Sequence, residues 1–284
     1  MKVKYGVNTQ TWVGGFGPQD YPLVEKAAKL GFQVIEISYG ENETVFDPKA
    51  LKRLLDEHGL GVVMCGYIHP NRDITSTDPS LRAMGMKYFR NAAETAKILG
   101  AKVFAGPLYA EIFRGRWLPE DERKAEWDRS VKAQREAADI CADAGLTIAM
   151  EPLNRFETDF INTAHQAVRY VEEVGKANVK VHLDTFHMCM EEKHFGSAIR
   201  EAGKHLAHVH ANSNDRGTPG EGHIPWSEVV TALKDVNYAG IVSIEGFAPY
   251  DKGLVEGGKI WRPVAKSQDQ LAIDGLKFLK SVFA

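Results

Sequence analysis

The sequence predicts a single α/β domain, a (β/α)₈ barrel, spanning residues 1–284. Segments rich in β-formers alternate with amphipathic helical segments from end to end, and no linker or low-complexity stretch interrupts them. Eight strands, each followed by a helix, match this barrel. A doubly wound sheet usually has fewer strands and a glycine-rich first turn, but no GxGxxG motif follows the first strand here. The barrel is therefore favoured.

The predicted strands are short runs of β-forming residues. The last of them, IVSIE, is a run of buried β-formers that ends on a carboxylate, Glu245. In chain order the strands are residues 2–8, 33–38, 61–66, 102–107, 146–151, 179–184, 206–211 and 241–245.

The segments between the strands have helical periodicity, most clearly over residues 78–100 and 122–145. Several of them close on a glycine, which suits the left-handed conformation that ends many helices. These glycines are Gly31, Gly59, Gly100 and Gly145.

Composition excludes several classes of protein. The chain is 44% hydrophobic and 26% charged, as expected for a globular protein with a substantial core. A formal net charge of −3 offers no electrostatic footprint for nucleic acid. Three widely spaced cysteines indicate reduced thiols rather than a disulfide framework. The first residues lack an apolar signal region and no window is long enough to span a membrane, so we expect a cytoplasmic protein.

Four successive strands end on a potential metal ligand. They end on Glu151 in AME, Asp184 in HLD, His210 in HVH and Glu245 in SIE. In a barrel these ends meet on one face, where crowded carboxylates would raise each other's pKa unless a cation lay between them. Any one of them could be an ordinary polar strand end, but four in order are poorly explained in that way. Three carboxylates and one imidazole suit a hard, six-coordinate ion such as Mn²⁺ or Mg²⁺.

Polar residues also follow these strands. Glu157 follows Glu151, His187 follows Asp184 and Arg216 follows His210, so we expect all three to face a ligand. Arg155 is as well explained by a solvated loop. Arg114 and Arg116, in YAEIFRGRW, are either solvated or hold a phosphate or carboxylate on a substrate.

The stretches EPLNRFET, HLDTFHM, HVHANSNDRGTPGEGHIPW and SIEGF resemble the xylose-isomerase-like sugar barrels, and within them the ketose 3-epimerases that act on D-tagatose, D-psicose (allulose) or L-ribulose. The resemblance is specific from Glu151 to residue 263. It implies a divalent metal, with Mn²⁺ the first choice and Co²⁺ or Mg²⁺ as alternatives, and a homodimer or homotetramer. It also implies metal ligands at Glu151, Asp184, His210 and Glu245, with sugar contacts at Glu157, His187 and Arg216.

The same residues allow a proton to be removed from C3 of a ketose. A metal held by O2 and O3 would stabilise the resulting cis-enediolate. If Glu151 and Glu245 lie on opposite faces of C3, one removes the proton and the other returns it, which inverts the centre. Phe247, two residues beyond Glu245, is the best candidate for an apolar contact with the sugar.

Three alternatives stay open at this point. A single base that returns the proton to the neighbouring carbon would make the protein an aldose–ketose isomerase, or one acting on inosose or hydroxypyruvate. A metal-dependent endonuclease of the apurinic-site type shares the architecture and has a histidine after the third strand, as His69 is here, but it needs a basic DNA-binding face. A non-catalytic sugar-binding module would have little use for a carboxylate-rich metal site.

Overall fold

The computed structural model describes residues 1–40 and 46–284, and these form the predicted barrel. Eight parallel strands pair in chain order, and β1 also pairs with β8, which closes the sheet. The strands are β1 (Lys4–Asn8), β2 (Val34–Ser38), β3 (Gly61–Cys65), β4 (Val103–Gly106), β5 (Thr147–Met150), β6 (Val179–Asp184), β7 (Leu206–His210) and β8 (Ile241–Ile244).

Ten α-helices lie within the described part of the chain, more than one for each strand. Asp78 caps the long third helix by accepting a hydrogen bond from the backbone N–H of Ser80 at 2.7 Å. The helices are α1 (Pro22–Leu30), α2 (Pro48–His58), α3 (Pro79–Leu99), α4 (Glu120–Ala142), α5 (Ala164–Val174), α6 (Thr185–Glu191), α7 (Phe195–Ala202), α8 (Trp226–Asp235), α9 (Lys252–Gly258) and α10 (Gln268–Val282).

The predicted glycines have the left-handed backbone expected of them. Gly31, Gly59 and Gly100 directly follow α1, α2 and α3, with φ of 92°, 66° and 74°. Gly145 has φ of 64° but lies three residues beyond the end of α4 at Ala142. A side chain with a Cβ atom would be strained at each of these positions.

Side chains alternate along each strand, so one set packs under the helices and the other lines the barrel axis. Ile35 and Ile37 of β2 belong to the same buried cluster as Leu51 and Leu55 of α2. Val34, Val63, Ala105 and Ala149 form a second, small apolar cluster, which we place at the axis. Nearer the carboxyl ends of the strands the axis becomes polar, and this polar layer positions the site described below.

No helix in the described part of the chain combines the length and apolarity needed to cross a membrane.

Candidate active site

The four side chains predicted to bind a metal meet at the carboxyl end of the barrel. One potential ligand atom from each of them lies within 4.8 Å of the others, and all four residues are buried. Nδ1 of His210 is 3.3 Å from Oε2 of Glu245, 3.7 Å from Oε1 of Glu151 and 3.9 Å from Oδ2 of Asp184. The strand order explains this geometry, because β5 to β8 are neighbours in the barrel and end at one rim.

The cluster fits a divalent cation. Oε1 of Glu151 and Nδ1 of His210 are buried and make no hydrogen bond with any residue in 1–40 or 46–284. Burial raises the pKa of Glu151 to about 8, and the carboxylates of Glu245 and Asp184 act in the same direction against the lowering effect of His210. A cation among these groups would satisfy the free atoms and relieve the repulsion. The residues therefore form a buried candidate site for a divalent metal.

Arg216 lies against the same carboxylates. Its Nη1 is 2.6 Å from Oδ2 of Asp184 and 2.5 Å from Oε2 of Glu245. The guanidinium carbon lies over two aromatic rings, 4.0 Å from the centroid of Phe186 and 4.5 Å from that of Phe247. Burial alone would lower the pKa of Arg216, but Asp184 and Glu245 hold it above its ordinary value. The loop after β7 thus places Arg216 against the cluster as a charged hydrogen-bond donor with a fixed orientation.

His187, in the first turn of α6, is oriented by a residue that the sequence analysis did not single out. The backbone N–H of Asn154 donates to Nδ1 of His187 at 3.0 Å, and the Asn154 side-chain amide donates to Oε1 of Glu157 at 2.8 Å. Burial, followed by the charges of Arg216 and His210, lowers the pKa of His187 well below its ordinary value. His187 is therefore neutral, with Nδ1 as the acceptor. Asn154 lies inside the motif EPLNRFET, which is the signal that pointed to this loop.

Two further asparagines orient the carboxylates and were also missed. Asn212 donates to Oδ1 and Oδ2 of Asp184 at 2.9 and 3.0 Å, and its own Oδ1 accepts from the backbone N–H of Glu245 at 2.8 Å. Asn8, the last residue of β1, donates to Oε1 of Glu245 at 3.2 Å. Asn212 follows β7 and Asn8 ends β1, both at the same rim. Their positions at strand ends were the sequence signal that could have identified them.

An open cavity of about 860 Å³ covers this cluster. The residues predicted to contact substrate, Glu157, His187, Arg216 and Phe247, all line it. Glu151 and Glu245 also reach the cavity wall, together with Tyr67, Phe113 and Phe156. A polar floor that holds the candidate metal site therefore opens into a chamber with several aromatic walls, which is a common composition for a small-molecule site.

The remaining arginines of interest lie elsewhere. Arg155 is an exposed residue that pairs with Glu191 at 2.9 Å. Arg114 is buried, 3.1 Å from Glu126 and 2.9 Å from Asp159, and Arg116 pairs with the same two carboxylates at 2.9 and 3.1 Å. Among the described residues that line the cavity, none is one of these arginines. Arg114 and Arg116 therefore pair with carboxylates of the protein itself, rather than with a phosphate or carboxylate of a substrate.

Comparison with known proteins gives consistent matches over nearly the whole chain. The family model described as the xylose isomerase-like TIM barrel matches residues 24–282. The chain is 33% identical to D-psicose 3-epimerase of Agrobacterium fabrum, covering 96% of this chain and 94% of that protein. It is 30% identical to L-ribulose 3-epimerase of Methylomonas sp., covering 98% and 97%. A crystal structure of D-psicose 3-epimerase with D-tagatose, from Clostridium cellulolyticum, superposes with a TM-score of 0.91 at 31% identity over 99% of both chains.

Proposed function

The chain belongs to the xylose isomerase-like TIM barrels and, among them, to the ketose 3-epimerases, and we propose that it inverts C3 of a ketose through a cis-enediolate at a divalent metal. One observation carries this proposal. Glu151 and Glu245 both belong to the buried cluster, yet they extend from β5 and β8, which are separated by two strands. Two carboxylates that approach one site from different sides are what inversion requires, because a proton must leave one face of a carbon and return to the other.

We assign the two glutamates opposed acid–base roles. In the metal-free site burial raises the pKa of Glu151, so this carboxyl holds a proton more readily than an exposed glutamate does. Although burial opposes it, the neighbouring His210 and Arg216 lower the pKa of Glu245, which favours the ionised base. The divergent environments suit a pair in which one group starts as acid and the other as base. A bound divalent ion would polarise the C2 carbonyl and make the C3 proton acidic.

We assign His187 and Arg216 to the carbonyl end of the substrate. Because Asn154 donates to Nδ1 of His187, the proton of the neutral ring lies on Nε2. That nitrogen is 3.0 Å from Nη2 of Arg216, too close for two N–H donors that face each other, so an acceptor placed between them would relieve the contact. A substrate oxygen that bridges them would be held and would have its developing negative charge stabilised.

Glu157 and Phe247 complete the proposed substrate contacts. Glu157 has a pKa raised by burial and already accepts a hydrogen bond from Asn154, so it supports His187 and can also bind a sugar hydroxyl. Phe247 lines the cavity, and its ring covers Arg216. Mn²⁺ is the proposed ion, because three carboxylates and one imidazole leave coordination positions for a chelating sugar. The homodimer or homotetramer and the cytoplasmic location stay predictions.

The decisive experiment follows deuterium from solvent. Metal-loaded protein would be incubated in D₂O with a panel of free and phosphorylated ketoses, and NMR would report which carbon gains deuterium. We expect exchange at C3 together with formation of the C3 epimer. Exchange at C1 with formation of an aldose would favour the single-base isomerase instead. Failure of every ketose to exchange would contradict both.

A further inference from the structure

Glu36 is a carboxylate in the middle of β2 that none of the roles above includes. Its neighbours Ile35 and Ile37 join the core beneath the helices, and Glu36 itself is fully buried and faces the barrel axis. An isolated buried carboxylate is costly, so its partners should identify its purpose. The sequence signal is one charged residue within the apolar strand VIEIS.

The carboxylate of Glu36 spans the barrel axis and meets two imidazoles of β7. Its Oε1 is 2.9 Å from Nε2 of His210, and its Oε2 is 3.0 Å from Nε2 of His208. Strands β2 and β7 are not neighbours in the sheet, so these contacts cross the interior rather than follow a ladder. A carboxylate accepts hydrogen bonds, and each imidazole must therefore present an Nε2–H to it.

This arrangement determines which nitrogen of His210 is left for a metal. With the proton on Nε2, the lone pair lies on Nδ1, the nitrogen that faces Glu151, Asp184 and Glu245. We propose that Glu36 is a positioning residue that holds His210 in the Nε2–H tautomer and so presents Nδ1 to the metal. The proposal rests on the proposed metal site, and carboxylate–histidine pairs behind a metal are a general means of orienting the ligand.

His208 serves Glu36 in the same arrangement. Its Nδ1 makes no hydrogen bond with any described residue, so its polar contact is the one with Oε2 of Glu36. Without that second donor the buried carboxylate would be half satisfied and free to turn away from His210. The role of His208 is therefore to hold Glu36 in place, one step further from the metal.

The first test is Glu36→Gln. An amide offers one acceptor oxygen and one donor nitrogen, so one of the two Nε2–H groups would face another donor. We expect Mn²⁺ affinity to fall by ~10–100-fold, measured from the electron paramagnetic resonance signal of free Mn²⁺ without any substrate. Ser243→Ala is the matched control, because Ser243 is buried at the axis in register with His210 and its side-chain hydroxyl makes no hydrogen bond with any described residue. Thermal unfolding in EDTA would report structural damage separately.

The outcomes distinguish this inference from the proposed function. Wild-type protein that fails to bind Mn²⁺ would contradict the metal site itself. Tight binding by the wild type and by Glu36→Gln alike would overturn the positioning role alone. Equal weakening by Glu36→Gln and Ser243→Ala would overturn it too, because any disturbance of the axis would then suffice.

A second measurement on the unaltered protein covers the case in which Glu36→Gln does not fold. Long-range proton–nitrogen correlation spectra of histidine-labelled, Mg²⁺-loaded protein report the tautomer of each ring, with His210→Asn used for assignment. We expect His210 to carry its proton on Nε2. A proton on Nδ1, or on both nitrogens, would overturn the proposal.

Discussion

Nη1 of Arg216 lies 2.6 Å from Oδ2 of Asp184, so the proposed substrate donor is hydrogen-bonded to a proposed metal ligand. The same nitrogen also contacts Glu245. Arg216 therefore has two functions in this arrangement. It offers positive charge to the buried carboxylates, and its Nη2 lies beside Nε2 of His187, in a residue pair that lines the cavity.

Replacing Arg216 with alanine should separate these functions. We expect kcat/KM on the best ketose to fall by ~10²–10³-fold, because a donor to the developing negative charge is lost. The metal-free variant should also unfold at a lower temperature, since two buried carboxylates lose their cation. Mn²⁺ should therefore raise the melting temperature of the variant by more than it raises that of the wild type.

The control for this variant is Arg155→Ala, which removes an exposed arginine that pairs with Glu191 outside the cavity. Its kinetics should stay close to those of the wild type. If Arg216→Ala kept near-normal kcat/KM, the assignment of Arg216 to the carbonyl end of the sugar would be wrong.

Removal of the metal should abolish activity and lower stability together. The cluster fits a divalent ion that binds the folded chain, so EDTA-treated protein should melt at a lower temperature than metal-loaded protein. The difference should grow with the metal concentration of the loaded sample. Added Mn²⁺ should restore both turnover and the melting temperature, measured by scanning fluorimetry beside an assay. Full activity after metal analysis has confirmed removal would contradict a metal-dependent mechanism.

Glu245→Gln should uncouple hydrogen exchange from inversion. Glu151 would still remove and return a proton on its own side of C3, so one C3 epimer should exchange its C3 hydrogen for deuterium without inverting. The other epimer should stay inert. Glu151→Gln should give the mirror-image result with the epimers exchanged, as followed by NMR in D₂O.

Both glutamates are also proposed ligands, so each glutamine variant must first be shown to hold Mn²⁺. Exchange of both epimers by a metal-loaded Glu245→Gln variant would refute the two-base mechanism and leave a single-base isomerase.

Arg114→Ala should affect stability rather than substrate choice. Arg114 pairs with Glu126 inside the protein, and both side chains are nearly inaccessible to solvent, at 5% and 6% exposure. Removal of one partner of a buried ion pair typically costs about 3–5 kcal/mol in the free energy of unfolding, and we expect a smaller loss here, measurable by urea titration, because Arg116 still pairs with Glu126 and Asp159. The ratio of kcat/KM between neutral and phosphorylated ketoses should not change. A selective loss on the phosphorylated sugar would instead support a phosphate contact.

The positions of the barrel strands could be predicted because each strand is a local pattern. All eight predicted segments contain the observed strands, although Glu151 and Glu245 lie one residue beyond β5 and β8. The proximity of the four cluster residues followed from the same pattern, because parallel strands of a closed barrel bring their carboxyl ends to one rim.

Side-chain contacts between residues far apart in the sequence could not be predicted from such local patterns. Glu36 and His210 are separated by 174 positions, and Asn8 and Glu245 by 237. Nothing in the neighbourhood of either residue specifies its partner. The two interpretations of Arg114 and Arg116 also stayed open for this reason, since their partner Asp159 lies in a loop after a different strand.

The sequence by itself determined the barrel, the order of its strands and the rim at which four potential ligands collect, because periodicity and strand ends are local properties of the chain. Only the tertiary structure decided which nitrogen of His210 faces the carboxylates, which amide orients His187 and that Arg114 and Arg116 lie outside the site. Those choices depend on hydrogen-bond directions and distances of about 3 Å between side chains from separate strands and loops, and such distances exist only once the barrel has closed.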